Sequence, residues 1–186
     1  MAKTITQLTE TTTTALDDVL HLVDISANQD KKIKASSFWN GKPYGELYVA
    51  TGGLTTIALQ STWYNLTTGA AFVTTAGLLN NFSHDAATGK LTYDGTEDIV
   101  FDIAATLSIL GATLGSEVKF AIGVNGSIVT KSIVNGLADA NFYYGNYKPS
   151  CLQTLSEGDY VQVFVSNETG TDNIFIISCN LQAKAL

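Results

Sequence analysis

The chain has 186 residues, of which 45% are hydrophobic and only 15% are charged, well below the roughly 25% charged residues of an ordinary soluble domain. Ten lysines against 17 acidic residues leave a net charge of −7, which argues against nucleic acid as a partner, because its phosphates need a basic patch. No apolar run is long enough to cross a membrane, and the first residues, MAKTITQLTE, lack the apolar core of a secretory signal. The sequence therefore predicts a soluble chain made without Sec export and without membrane insertion.

The first 40 residues differ in composition from the rest of the chain. An apolar stretch at 19–23 lies between acidic residues, and a polar turn separates it from a lysine-rich stretch at 31–34. This pattern predicts a short hairpin in which an acidic strand faces a basic one, each opposite-charge pair contributing roughly 0.2–1 kcal/mol. Two strands alone are marginal in water, so the hairpin needs a partner surface or further copies of itself.

From residue 41 onward, apolar residues recur with period two, and a turn signal follows about every ten residues. The clearest strand is 98–110, where every odd position from 99 onward is apolar. A strand at 118–124 leads into Asn125–Gly126, a pair that favours a type I′ hairpin turn, and then into a strand at 127–134. Further strands are predicted at 46–50, 55–59, 90–93, 160–165 and 174–181. Helical periodicity is weak, so we predict an all-β chain: an N-terminal hairpin module, residues 1–40, and a jelly-roll β-sandwich, residues 41–186.

The strand at 160–165 carries apolar side chains on both faces, with the valines on one face and Tyr160 and Phe164 on the other. A strand at the surface of a monomeric sandwich should have one polar face. Burying each ring at an interface would contribute roughly 2–3 kcal/mol, so Tyr160 and Phe164 are candidates for a subunit interface. The alternative is that loops of the same chain cover both faces.

Two segments carry a resemblance to a known family. The stretch TLSEGDYVQVFVSNETGTDNIFI, residues 154–176, resembles the closing strands of tumour-necrosis-factor-like and complement-type globular heads, where a Leu-x-x-Gly-Asp turn opens a strand. The segment YGELYVATGGLTTIAL, residues 44–59, is similar to their opening strands. This resemblance implies a ten-stranded jelly roll that assembles as a homotrimer with aromatic residues near the axis.

The stretch ALDDVLHLVDISANQDKKIKASSF, residues 15–38, resembles a module near the start of bacteriophage fibre and spike proteins. The resemblance implies a location on the virion surface, with residues 1–40 attached to other virion proteins, and leaves open whether that site is on the tail or the capsid. The expected attachment residues are Asp17, Asp18, Leu20, Leu22, Asp24, Lys31, Lys32 and Ile33.

A candidate binding loop lies at 135–150. It combines asparagine and glycine with four aromatic residues, Phe142, Tyr143, Tyr144 and Tyr147. Sugar rings stack on flat apolar faces beside polar groups, so this composition predicts a glycan site. The same composition would also serve an adaptable protein-binding loop, or the rings could pack on the sandwich or on a neighbouring subunit.

Little in the sequence indicates catalysis. His84 and Asp85 lie in a polar loop, and the sequence shows no partner residues for them. Asp98 and Asp102 lie on one face of a strand and Glu97 lies at its start, which is the arrangement expected of a solvent-exposed face. No phosphate loop, nucleophile elbow or zinc pattern occurs, and the two cysteines are expected to be small buried side chains. We expect no enzyme activity and no cofactor, and we identify no metal ligands; calcium bound by loop acids such as Asp94, Glu97 and Asp172 stays an open alternative, although their spacing fits no recognised calcium loop.

These observations predict a structural protein of a bacteriophage virion: a short trimeric fibre or spike that is anchored by its N-terminus and displays a jelly-roll head for adhesion to a host-surface glycan. The alternative is a capsid decoration protein that stabilises the phage head without a receptor role.

Overall fold

The computed structural model describes strands 19–24 and 29–34 by their backbone, and residues 41–69, 72–111, 115–138 and 145–186 more fully. The chain divides into two compact units, residues 1–41 and 42–186. In the first unit, β1 (Val19–Asp24) and β2 (Gln29–Lys34) pair as an antiparallel hairpin. No helix in the part of the chain that the structure describes could span a bilayer.

The second unit consists of two antiparallel sheets. Sheet I contains β3 (Tyr44–Tyr48), β4 (Gly53–Thr55), β6 (Thr75–Asn80), β9 (Ile99–Gly111), β13 (Gly145–Tyr147), β14 (Ser150–Leu155) and β16 (Ile174–Ala185). Sheet II contains β5 (Tyr64–Asn65), β7 (Phe82–Asp85), β8 (Lys90–Tyr93), β10 (Ser116–Val124), β11 (Ser127–Ile128), β12 (Val134–Ala138) and β15 (Tyr160–Asn167).

The strand order is that of a jelly roll. Sheet I runs β14, β9, β16, β3, β6, with β13 beside β9 and β4 beside β16. Sheet II runs β11, β10, β15, β8, β7, with β12 beside β10 and β5 beside β15. Among the described strands, the chain changes sheet eight times: from β4 to β5, β5 to β6, β6 to β7, β8 to β9, β9 to β10, β12 to β13, β14 to β15 and β15 to β16. The prediction of an all-β jelly-roll sandwich is therefore confirmed.

The core fills the space between the sheets and follows the predicted alternation. On β9 the odd positions from Phe101 to Ile109 are 0–2% exposed, and Phe120 and Ile122 face them from β10 with no exposed surface. An aromatic cluster closes one end of the core, with ring centroids 5.0–5.4 Å apart; it contains Phe82, Tyr93 and Phe101. Both cysteines, Cys151 and Cys179, are free and buried, as expected.

The turn prediction is confirmed, because Asn125 and Gly126 adopt φ values of 51° and 78°. Two predicted strands are wrong. The strand expected at 55–59 ends at Thr55, and the Ile57 N–H donates to the Asn173 side chain at 3.0 Å instead of to a neighbouring strand.

The strand expected at 127–134 stops at Ile128 and continues as a 3₁₀ turn, Thr130–Ser132. The Ser132 hydroxyl oxygen accepts from Ile122 N–H at 2.9 Å, and the hydroxyl is 2.7 Å from the carbonyl of Val129, so one side chain folds this segment back on β10. Several short strands were not predicted, because they lack a run of alternating apolar residues: β5, β6, β7, β12, β13 and β14.

Candidate functional site

The predicted aromatic loop is only partly within the described residues. Phe142, Tyr143 and Tyr144 lie outside them, so their ligand role stays a prediction. Tyr147 is described, and its ring stacks on the buried Phe120 ring with centroids 4.7 Å apart. Its hydroxyl donates to the carbonyl of Leu137 at 2.8 Å, and burial raises the pKa of Tyr147. Tyr147 therefore anchors the base of the loop on the core, and a ligand contact by its ring stays a prediction.

The described bases of this loop come from different sheets. β12 pairs with β10 in sheet II, and β13 pairs with β9 in sheet I, with Gly145 opposite Ile109. The second unit begins at the other end of β9, because Tyr44 pairs with Lys184, and Lys184 pairs with Asp102. Seven residues of strand separate Asp102 from Ile109, about 23 Å. The loop and the start of the head thus lie at opposite ends of sheet I.

The outer face of β15 is occupied by contacts within the chain. Phe164 is 8% exposed, and its ring lies so close to Gly123 that a Cβ added there would come within 2.3 Å of it. The Nζ of Lys90 lies 4.1 Å from the centroid of the Tyr160 ring. These contacts favour the alternative that the chain itself covers this strand. An interface role for Tyr160 and Phe164 stays a prediction, but the described chain leaves Phe164 little surface to offer a partner.

The N-terminal attachment residues fall into two groups. Asp17 and Asp18 lie outside the described residues, and the other six lie on β1 and β2: Leu20, Leu22, Asp24, Lys31, Lys32 and Ile33. The register pairs Lys31 with Leu22, Lys32 with His21, and Asp24 with Gln29. The expected opposition of acids and lysines is therefore wrong for Asp24, because this acid ends β1 whereas the lysines lie farther along β2. Virion attachment itself stays a prediction.

The sequence reasoning missed a group of exposed apolar side chains on the side of sheet I that faces away from sheet II. Along the β3 edge of this outer face, Tyr44 and Tyr48 are each 37% exposed, and Leu78 of the adjacent β6 is 69% exposed. We call these three residues the tyrosine patch. At the opposite edge, Val100 is 43% and Leu152 is 51% exposed, and these two form the leucine patch. The period-two spacing of the tyrosines on β3 was the available signal.

Polar side chains separate the two patches. The Glu46 carboxylate accepts from the side-chain amides of Asn180 and Gln182 at 2.7 and 3.0 Å. These two hydrogen bonds hold the pKa of Glu46 below its usual value. A hydrogen bond from the Leu78 N–H and the positive charge of the nearby Lys184 lower the pKa further. A shallow polar groove continues from Gln182 across β9, and its further lining residues are Asp102, Ala104, Thr106, Lys148, Asn180 and Lys184.

Charge distinguishes this face from the rest of the head. Residues 42–186 contain 12 acids and six lysines. The residues that line two recesses on the outer face of sheet I include two acids, Glu46 and Asp102, and three lysines, Lys42, Lys148 and Lys184. Copies of an acidic protein repel one another least where a face without excess negative charge meets its partner. The face therefore combines exposed apolar groups with no excess of negative charge.

The residues weighed for catalysis have structural contacts. The Nε2 of His84 lies 2.7 Å from the Thr74 hydroxyl, and burial lowers the pKa of His84. The Asp85 carboxylate accepts from the Ala87 N–H at 3.0 Å and caps its own turn. Among the described residues, no three His, Cys, Asp or Glu side chains are grouped so that they could hold a metal ion.

No protein-family model matches this chain. No curated protein matches it either. Among solved structures, the chain is similar to the PRD1 vertex protein P5, with 16% identity over 77% of this chain and 98% of that chain and a TM-score of 0.48. It is also similar to Eiger TNF from S. frugiperda, with 12% identity over 77% and 93% and a TM-score of 0.46. Murine APRIL at pH 5.0 matches with 8% identity over 76% and 98%, with a TM-score of 0.46. At identities and TM-scores this low, these likenesses carry no conclusion about partners or activity.

Proposed function

We propose that this protein is a non-enzymatic structural component of a bacteriophage virion. Its residues 1–40 attach to other virion proteins, and its head forms a homotrimer that contacts a glycan on the host surface. The location on a virion and the trimeric state are inferred from the sequence resemblances. The observation that carries the assembly is the outer face of sheet I, which has no excess of negative charge and has an exposed apolar patch at each of two opposite edges.

The two patches are unlike and lie at opposite edges of one sheet. A contact between the tyrosine patch of one copy and the leucine patch of the next is heterologous, and successive contacts of this kind close into a ring when the rotation between copies allows it. Leu78, Tyr44 and Leu152 would then lose their exposed apolar surface, each contributing on the order of 1 kcal/mol. The polar groove between the patches would face the axis.

The placement of the aromatic loop supports the adhesive part of the proposal. The head begins beside Asp102 on β9, and the loop base lies beside Ile109, about 23 Å away along the strand. A head held by its N-terminal side would therefore present the loop at its far end. Phe142, Tyr143 and Tyr144 would supply flat apolar faces for sugar rings.

The assembly is tested by light scattering on the full chain. We expect three times the chain mass of 19.8 kDa. Leu152→Asp should give the single-chain mass, because each interface would then bury an unpaired carboxylate against the apolar tyrosine patch. Leu137→Asp is the matched control: Leu137 is 67% exposed but lies on β12 in sheet II, so this variant should keep the trimer mass. A wild-type chain of single mass, or two variants that behave alike, would reject this surface.

The adhesive role needs a separate assay. The full chain should bind a subset of glycans on an array, and replacing Phe142, Tyr143 and Tyr144 by alanine should abolish that binding while the trimer mass stays unchanged. Recovered glycans of unaltered mass would agree with a role without catalysis, and cleaved glycans would contradict it. A trimer that binds virions but no glycan would favour the alternative of capsid decoration.

A further inference from the structure

The turn between β10 and β11 contains a dipeptide with its own chemistry. In an Asn-Gly pair, the backbone nitrogen of the glycine can attack the side-chain amide carbon of the asparagine, because glycine has no side chain to hinder the approach. Asn125 and Gly126 form such a pair in a tight turn with positive φ at both residues. The same dipeptide recurs at Asn135–Gly136 on β12 and at Asn40–Gly41, where Asn40 lies outside the described residues.

In the folded head, both polar atoms of the Asn125 side chain are engaged. Nδ2 donates to Oδ1 of Asp159 at 2.6 Å, and Oδ1 accepts from the Tyr160 N–H at 3.0 Å. Asp159 is fixed in turn, because its Oδ2 accepts from the Ser156 N–H at 2.8 Å. Within the described part of the chain, no comparable hydrogen bond holds the side chain of Asn135.

We propose that Asn125 is a deamidation site that the Asp159 clamp protects. When the clamp opens, the Gly126 nitrogen bonds to Cγ of Asn125 and gives its proton to solvent. The side-chain NH2 group takes a proton from solvent, the bond between Cγ and Nδ2 breaks, and ammonia leaves. The resulting succinimide is hydrolysed by one water molecule to aspartate or isoaspartate. No oxidant, reductant or enzyme is needed.

Deamidation at this position would weaken the corner that holds β10 against β15. The new carboxylate would stand where the amide donated to Asp159, so two negative charges would meet across a former hydrogen bond. An isoaspartate would also lengthen the backbone of a tight turn. Tyr160, which begins β15 beside this turn and lies under Lys90, would lose its fixed position.

The test is peptide mapping by mass spectrometry after incubation of the full chain at mildly alkaline pH. In folded wild type, Asn125 should deamidate at least about tenfold more slowly than in urea, because reaction requires local opening. In Asp159→Ala, the Asn125 rate should rise while the Asn135 rate stays unchanged. Equal Asn125 rates with and without urea, or a folded Asp159→Ala chain that keeps the wild-type rate, would overturn the proposal.

A second pair of variants keeps the test independent of how well Asp159→Ala folds. Asn125→Asp, which reproduces one product, should lower the melting temperature. Adding Asp159→Asn should restore most of that loss, because one amide again faces one carboxylate. An Asn125→Asp chain as stable as wild type, or a loss that Asp159→Asn does not restore, would contradict the proposed consequence of the modification.

Discussion

The outer faces of the two sheets differ in what covers them. On sheet II, Phe164 lies over Gly123, and the Gln162 side chain donates to the Thr88 carbonyl at 2.7 Å, so both side chains are nearly inaccessible. On sheet I, Tyr48 and Leu152 remain exposed beside a polar centre whose hydrogen bonds are already made. An apolar side chain on an outward position therefore indicates a binding surface only when the chain itself does not cover it.

Among the variants that test this comparison, we expect the largest loss of stability from a substitution at Phe164. Phe164→Ala should lower the free energy of unfolding by about 3 kcal/mol, because a nearly buried ring is removed from a packed site. Leu137→Ala, at a position 67% exposed on the same sheet, should change it by less than about 0.5 kcal/mol. Urea unfolding measures both. Similar losses in the two variants would show that the ring is not part of the packed structure.

The next effect concerns the glycine beneath that ring. A Cβ at position 123 would come within 2.3 Å of the Phe164 ring, so Gly123→Ala should lower the free energy of unfolding by about 1–3 kcal/mol. In a Phe164→Ala background, the added methyl group has room, and the same change should cost much less. Additive losses in this double-mutant cycle would contradict the close approach.

On sheet I, Glu46→Ala should lower the free energy of unfolding by about 1 kcal/mol, because two amides lose their shared acceptor at a site that water can reach. Glu46→Gln is the control that keeps an acceptor oxygen and should lose less. Thermal melts of the two variants beside wild type measure this effect. An unchanged Glu46→Ala chain would mean that the polar centre adds nothing to stability.

The same carboxylate should make this effect dependent on pH. The folded-state pKa of Glu46 lies below its ordinary value of 4.5, so its contribution is complete above that pH and is lost as the pH falls through the folded-state pKa. The stability difference between wild type and Glu46→Gln should therefore shrink in acid. Melting temperatures measured from neutral pH down to acid test this, and a constant difference would contradict it.

The smallest effect is expected at Lys90. Lys90→Ala should lower the free energy of unfolding by about 0.5–1 kcal/mol, the usual contribution of an exposed cation above an aromatic ring. Lys90→Arg keeps the cation and should stay close to wild type. In a Tyr160→Leu background, Lys90→Ala and Lys90→Arg should have the same free energy of unfolding. If the two variants still differed, Lys90 would stabilise the fold through a contact other than the Tyr160 ring.

Strand positions were predictable where alternation was long, as on β9, and the Asn125–Gly126 turn was predictable because its backbone needs positive φ. Ser132 shows the limit: its hydroxyl ends a predicted strand by bonding to residues on β10 and in the preceding turn. Tyr147 shows a second limit of sequence-based prediction. Its position in the loop does not reveal that its ring stacks on the ring of Phe120, which lies on a distant strand.

The sequence by itself determined the all-β class, the two-unit organisation as a hypothesis, and the acidic charge, because these depend on composition and on period-two patterning along the chain. Only the tertiary structure decided which apolar faces stay open. Phe164 and Tyr48 both lie on strands with apolar outward positions. The Phe164 ring fits over Gly123 and is 8% exposed, whereas the described residues leave Tyr48 37% exposed. Coverage depends on which strands become neighbours, and that pairing joins residues far apart in sequence.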